Sequence, residues 1–343
     1  MFGIFKQTHF EVLTLIVFVF MLNACDLGNK GFKPSSGRTN EILVVTNSDE
    51  LWKGEAGDTI KALFGQELEG MPQAESAFDM VHIPAAEFSN LYQTHHNIFI
   101  LDINPTTQKP IVETKVDFWA KPQRVIKITV PDKDAFYQEF AENRETFIQL
   151  FNENEWVRTG NTHAAFEDEK LRKQLVKSYR VSMVFPKAFY VAATTNNFVW
   201  LRREADKYSQ GIFMYFYPYT DTIAFNAARI IQLRDSVTKK YIPGPTDGSY
   251  MKTAAIVPPT KKQVNFNDNF AVEMRGLWEL EGDFMGGPFV SYTFLDPRHN
   301  RIITLDGYVY FPGQDKKNLI RQVEAILHSF NIPDDEPAND GEK

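Results

Sequence analysis

Only one of the 343 residues is cysteine, and it stands at position 25. An intrachain disulfide and a cysteine zinc cluster are therefore excluded, and stability must come from packing. Past Leu22 no apolar run approaches the roughly 20 residues that a membrane-spanning helix needs. Positive charge is also scarce: 37 Lys and Arg face 44 Asp and Glu, for a net charge of −7. With a pI near 5.6 and no basic stripe, the chain has no electrostatic footprint for nucleic acid. G-x-x-x-x-G-K-[ST], G-x-G-x-x-G after a strand, G-x-S-x-G and H-E-x-x-H are all missing. Nucleotide loops, a serine-hydrolase elbow and a zincin helix thus have no representative, so no cofactor, metal site or catalytic residue is assigned. No period of about 20 to 50 residues recurs, which excludes a solenoid.

What is abundant is apolar and aromatic: 43% hydrophobic residues and 29 phenylalanines. That suits about two domains with cores of their own. At the N-terminus, Lys6 precedes an uncharged run of 11 residues, Val12–Leu22, too short to span a bilayer but suited to a secretory signal. Leu22-Asn23-Ala24-Cys25 closes it and resembles a bacterial lipobox. That resemblance implies cleavage before Cys25 and acylation of its thiol, palmitate included. Two or more chains hold a protein stably on a membrane. Asp26 follows, without the acidic run of surface-exported lipoproteins, so the expected location is the cell envelope, facing the periplasm.

The expected organisation is a signal peptide at 1–24, a flexible tether at 25–40 rich in Gly, Ser, Lys and Pro, a domain at 41–178, a second at 179–331, and a disordered acidic tail at 332–343. In the first domain, strands at Glu41–Thr46, Phe78–Ile83, Asn97–Ile103 and Arg124–Val130 alternate with helices. One begins at Ser48. Another is short and places Phe88, Leu91, Tyr92 and His95 on one face, and a third aligns Phe136, Phe140, Phe147 and Phe151. This pattern predicts an α/β fold with a mixed or parallel sheet. A charged helix near 163–179 leads on. The second domain reads as α+β, an antiparallel sheet with helices packed on one face. Its strands are Arg180–Phe185, Phe189–Thr194, Phe198–Arg203, Ile212–Tyr217, Phe270–Glu281, Phe289–Leu295 and Arg301–Phe311. Its helices lie near 222–241 and 315–330.

Two resemblances follow from particular residues. Phe185-Pro186 with Phe189–Val191, and the closing hairpin from Phe289 through Asp296-Pro297-Arg298-His299-Asn300 to Ser329-Phe330, resemble PsbP/Mog1-like domains in layout. That family supplies binding and assembly-factor domains. Phe198-Val199-Trp200-Leu201-Arg202-Arg203-Glu204, Tyr241-Ile242-Pro243-Gly244-Pro245 and Gly276-Leu277-Trp278 through Phe289 resemble an uncharacterised family of Bacteroidetes lipoproteins, a domain of unknown function. The likeness implies a lipid anchor and an envelope setting, and no activity.

The stretch singled out as a binding site is Trp278 with Asp283, Phe284, Met285, Gly286, Gly287 and Pro288. Apolar side chains on a glycine-rich connection suit a docking tip, because glycines let another backbone approach closely. The competing reading is a tight turn folded onto its own core. Alternation along Val272–Glu281 sends Val272, Met274, Trp278 and Leu280 to one face and Glu273, Arg275, Glu279 and Glu281 to a solvated one. Arg202-Arg203-Glu204 resembles an anion-binding cluster, but adjacent residues on a strand point to opposite faces, so it reads as a salt-bridged strand end, and His95 as a satisfied core histidine. The expectation is a lipid-anchored protein that binds another envelope component. A small ligand or glycan in a cleft between the halves, stacked on Trp278 or Trp200, is the alternative. A hydrolase using Glu281, Asp283 or Asp306 is a third.

Overall fold

The computed structural model describes residues 32–334. The signal-like segment, Cys25 and the start of the expected tether lie outside the described residues, as does the acidic tail beyond Asp334. The later part of that tether is docked rather than flexible. Strand β1 (Lys33–Pro34) pairs with β6 (Ala120–Lys121), and Ser36 N–H donates to the Thr94 carbonyl at 2.8 Å.

The N-terminal half is built on β2 (Glu41–Thr46), all six residues of which are buried, as expected for a continuous apolar run in a sheet centre. Ser48 caps α1 (Asp49–Lys53), and Gly54 breaks the expected single helix before α2 (Glu55–Phe64). Then come β3 (Asp79–Pro84), β4 (Asn97–Ile103), β5 (Ile111–Val116) and β7 (Arg124–Val130). The sheet order is β3-β2-β4-β7-β5, parallel except for β5. Asp132 caps the long helix α3 (Lys133–Ala165), whose Phe136, Phe140, Phe147 and Phe151 are buried on the sheet with Phe64 and Phe99.

The helix expected at Phe88–His95 is absent, replaced by single 3₁₀ turns at Ala85–Glu87 and Tyr92–Thr94, and Leu91 is exposed. The reason is long-range: Gln123 Nε2 donates to the Gln93 and His95 carbonyls, at 2.7 and 2.8 Å, and Ser36 takes the Thr94 carbonyl. Those carbonyls are held by partners far along the chain. Chain order explains the layout. The link from β3 to β4 returns across β2, so a right-handed crossover places it on the face opposite α2.

Helix α4 (Glu169–Tyr179) opens the C-terminal half. The segment Arg180–Phe185 alternates buried residues as a strand would, but makes only one bridge, Ser182 to Asn331, and is not a sheet strand. The sheet comprises β8 (Tyr190–Thr195), β9 (Phe198–Glu204), β10 (Ser209–Pro218), β11 (Tyr250–Thr253), β12 (Thr260–Phe266), β13 (Asn269–Glu281), β14 (Gly286–Asp296) and β15 (Arg301–Tyr310). It runs β11-β13-β14-β15-β10-β9-β8, with β12 also on β13, antiparallel throughout. α4 and α6 (Lys317–His328) pack on one face, and α5 (Ala227–Tyr241) adds a layer on the other.

The halves are joined by buried polar contacts. Glu75 accepts from the backbone N–H groups of Lys316 (2.9 Å) and Lys317 (2.7 Å), supplying from the N-terminal half the cap that α6 lacks. On α3, the Trp156 ring stacks on His328 at 3.5 Å, and its Nε1 donates to Glu324 at 3.3 Å.

Candidate functional site

Of the expected binding residues, Trp278 is core. It is 2% exposed, and its Nε1 donates to the Val309 carbonyl at 3.2 Å. Alternation on β13 turns it inward with Val272 and Met274, so it presents no stacking face. Gly286, Gly287 and Pro288 are not loop residues but the start of β14, and Gly287 and Pro288 are buried. Packing explains Gly287: a Cβ there would meet the Val309 carbonyl oxygen at 2.1 Å and the Trp278 indole nitrogen at 3.2 Å. What projects is the turn between β13 and β14. Gly282 has φ +82°, which a glycine adopts without steric cost. The Asp283 carboxylate then fixes the tip, accepting from Phe284 N–H at 2.6 Å and from Thr246 Oγ1 at 2.5 Å.

Phe284 is fully solvated, the most exposed large apolar side chain among the described residues. Its neighbour Met285 turns back onto the aromatic cluster of the β13–β15 face and borders an open groove of about 630 Å³. Tyr208, Tyr310 and Phe311 line that groove, with Arg202 and Glu204 at its rim. Those two form the expected salt bridge, and Arg202 also lies over the Trp200 ring at 4.9 Å. Trp200 itself is buried.

The carboxylates read as candidate acids and bases are otherwise engaged. Glu279 and Glu281 share Lys252, the former at 3.4 Å. Asp306 is fully buried against Arg234 at 2.8 Å. Burial pushes its pKa up to about 6 despite that arginine. Glu273 and Arg275 do not face solvent as expected. Arg275 grips Glu273 through two bonds of 2.9 Å and reaches Glu324, which Arg321 also holds at 3.0 Å. Burial alone would raise the Glu324 pKa, but the two arginines bring it down to about 2.

One arrangement of triad type escaped the sequence. Thr46 Oγ1 lies 2.9 Å from His82 Nε2, and Asp49 is 3.6 Å from Nδ1. The Thr46 hydroxyl is fully buried and donates to the Ser48 carbonyl at 2.8 Å, so it is a structural strut and no nucleophile. His95 is the satisfied core histidine expected, bonded to Glu41 at 3.0 Å and to the Asn97 carbonyl at 2.9 Å. Among the described residues, no group of three or more His, Cys, Asp or Glu is placed to hold a metal, and no helix is long and apolar enough to cross a membrane.

Comparison with known proteins divides the chain in two. Residues 168–329 match a domain of unknown function (DUF4837). Residues 35–163 match another, DUF8532. No curated protein matches. Among solved structures, the Ran-binding protein Mog1p of Saccharomyces cerevisiae aligns over 45% of this chain and 90% of its own, with 8% identity and a TM-score of 0.30. LpqN of Mycobacterium tuberculosis, described as involved in cell envelope biogenesis, aligns over 44% of this chain and 81% of its own, with 9% identity and a TM-score of 0.26. Both likenesses are weak and concern layout alone.

Proposed function

We propose that this protein is a lipid-anchored, non-catalytic binding protein of the cell envelope, held on a membrane through Cys25, facing the periplasm, and docking on another envelope protein through the Phe284 tip. The observation that carries the reading is a fully exposed phenylalanine on a turn braced by Asp283 beside an aromatic groove. A solvated phenylalanine gains nothing from folding, whereas a pre-ordered apolar tip loses little entropy on binding. Of the carboxylates offered for hydrolysis, Glu281 is held by Lys252, Asp306 by Arg234 and Asp283 by Thr246, which favours binding over chemistry.

Crosslinking in living cells, followed by purification of the full chain from the membrane fraction, tests both parts. A discrete partner recovered with the wild type and lost with Phe284→Ala/Met285→Ala supports the docking site. The same partner retained by that variant overturns it. Cys25→Ser leaves the membrane fraction if the anchor reading holds, and stays there if it does not.

A further inference from the structure

The strongest feature that neither the sequence nor the docking site accounts for is a cavity of about 460 Å³ in the N-terminal half. Its floor is the sheet face that carries no helix, formed by Val45 of β2, Ile100 of β4 and Val125 of β7. It extends along that face from Val125, near the start of β7, to Asp102, near the end of β4. At the Asp102 end β2 and β4 lie side by side, Val45 opposite Ile100 and Thr46 opposite Leu101. Asn47 ties the two strands together at this point, accepting from Ile103 N–H at 2.7 Å.

The walls are aromatic and pre-ordered. Phe88 and Trp119 meet edge to face at 5.5 Å, and Phe118 sits against Trp119 at 4.5 Å. One fully buried amide clamps the two segments that carry them. Gln123 Oε1 accepts from Trp119 N–H at 2.8 Å and Ala120 N–H at 3.3 Å, while its Nε2 holds the Gln93 and His95 carbonyls. All the bonding capacity of that side chain goes to fixing the walls.

Charge runs across the floor with alternating sign. Asp102 on β4 pairs with Lys127 on β7 at 3.1 Å, Lys127 sits opposite Glu113 in the β5–β7 ladder, and Glu113 pairs with Lys115 at 3.6 Å. A ligand of one net sign would meet as much repulsion as attraction there. A zwitterion satisfies both signs, its carboxylate on a lysine and its ammonium on Asp102 or Glu113. The apolar floor and aromatic walls add a place for a large apolar or aromatic side chain.

We infer that this cavity binds a small zwitterion bearing an aromatic or large apolar group, of the class of a short peptide such as a dipeptide. The inference is independent of the docking tip, which lies in the other half of the protein.

Isothermal titration of the full chain in detergent with phenylalanyl-phenylalanine tests it, with N-acetyl-phenylalaninamide as the probe that keeps the ring and lacks both charges. The expected result is saturable binding of the dipeptide that weakens at least roughly tenfold with the neutral probe, with Lys127→Gln and with Trp119→Ala. Trp119→Phe keeps an aromatic wall and is expected to retain binding, which separates a lost wall from a lost fold. No heat up to about 10 mM dipeptide overturns the inference. Equal affinity for the neutral probe, or undiminished binding by Lys127→Gln, overturns the zwitterion assignment.

Discussion

The two halves bury their sheets differently, and the difference locates the available surface. In the C-terminal half every long strand is hairpin-linked or flanked, helices cover both faces, and all of Trp200, Trp278 and Asp306 are sealed inside. What this half presents beside its aromatic groove is a projecting hairpin tip. The N-terminal sheet carries α2 and α3 on one face, while its other face is closed by the short β3–β4 link and the loop around Trp119. Two 3₁₀ turns cannot fill the layer that a full helix would fill, so space remains above the strands. Chain connectivity, more than composition, thus decides which half leaves a sheet face without a helix.

The largest way to break this comparison is to attack the charges that seal the C-terminal half. Arg275→Met removes the cation shared by Glu273 and Glu324, leaving two buried carboxylates with Arg321 alone. Breaking a buried ion pair from one side costs about 3–5 kcal/mol, and denaturant titration should read a loss of that size. A loss below about 1 kcal/mol would mean that water reaches the cluster and that the half is not sealed. Because Trp156 of α3 also binds Glu324, its fluorescence should shift in the same variant.

Much of this architecture was legible in the sequence, and the failures share a cause. The apolar pattern of Arg124–Val130 matches its burial residue for residue. Those of Glu41–Thr46 and Asn97–Ile103 do so apart from the buried polar Glu41, Thr46 and Asn97 and the half-buried Ile100, Asp102 and Ile103. The phenylalanine stripe of α3 was equally plain. β5 and β12 were missed because most of their residues are exposed or half-exposed and their stability comes from ladder bonds to one neighbour. The helix expected at Phe88–His95 was lost to Gln123 and Ser36, partners that no local pattern contains. For the same reason Trp119 and Lys127 gave no local sign of sharing a cavity: they meet only through the sheet register. At the tip, alternation located Trp278 correctly on the inner face, while its proximity to Phe284 drew it wrongly into the binding set.

A smaller effect comes from acid. Burial lowers the pKa of His328 to about 4, against the pull of Glu324 and Glu273, with Arg275 and Arg321 assisting. Burial does the same to His163, also to about 4. An unfolded histidine binds its proton near pH 6.5, so between about 6.5 and 4 the unfolded state holds more protons and stability falls as pH falls. Asp306 opposes this, since a carboxyl raised to about 6 favours the folded state as pH drops through that value. Melting temperature measured from pH 7 to 4.5 should decline in the wild type and decline less in His328→Asn. An identical slope in both would show that the ring is solvated and titrates normally.

The smallest expected change sharpens the comparison most. Phe284→Ser alters a side chain that is fully solvated, with only its backbone N–H bonded within the turn. Stability should therefore stay within about 0.5 kcal/mol of the wild type. Met285→Ser, one residue on, removes a side chain packed on the aromatic cluster and should cost about 1 kcal/mol or more. Adjacent residues of similar hydrophobicity would then differ because one serves the fold and the other does not. If Phe284→Ser instead destabilises as much as Met285→Ser, the phenylalanine packs against its own chain in solution. The tip would lose the feature that makes it a docking surface. If the substitution is neutral for folding, any loss of partner recovery in cells can be ascribed to the contact itself.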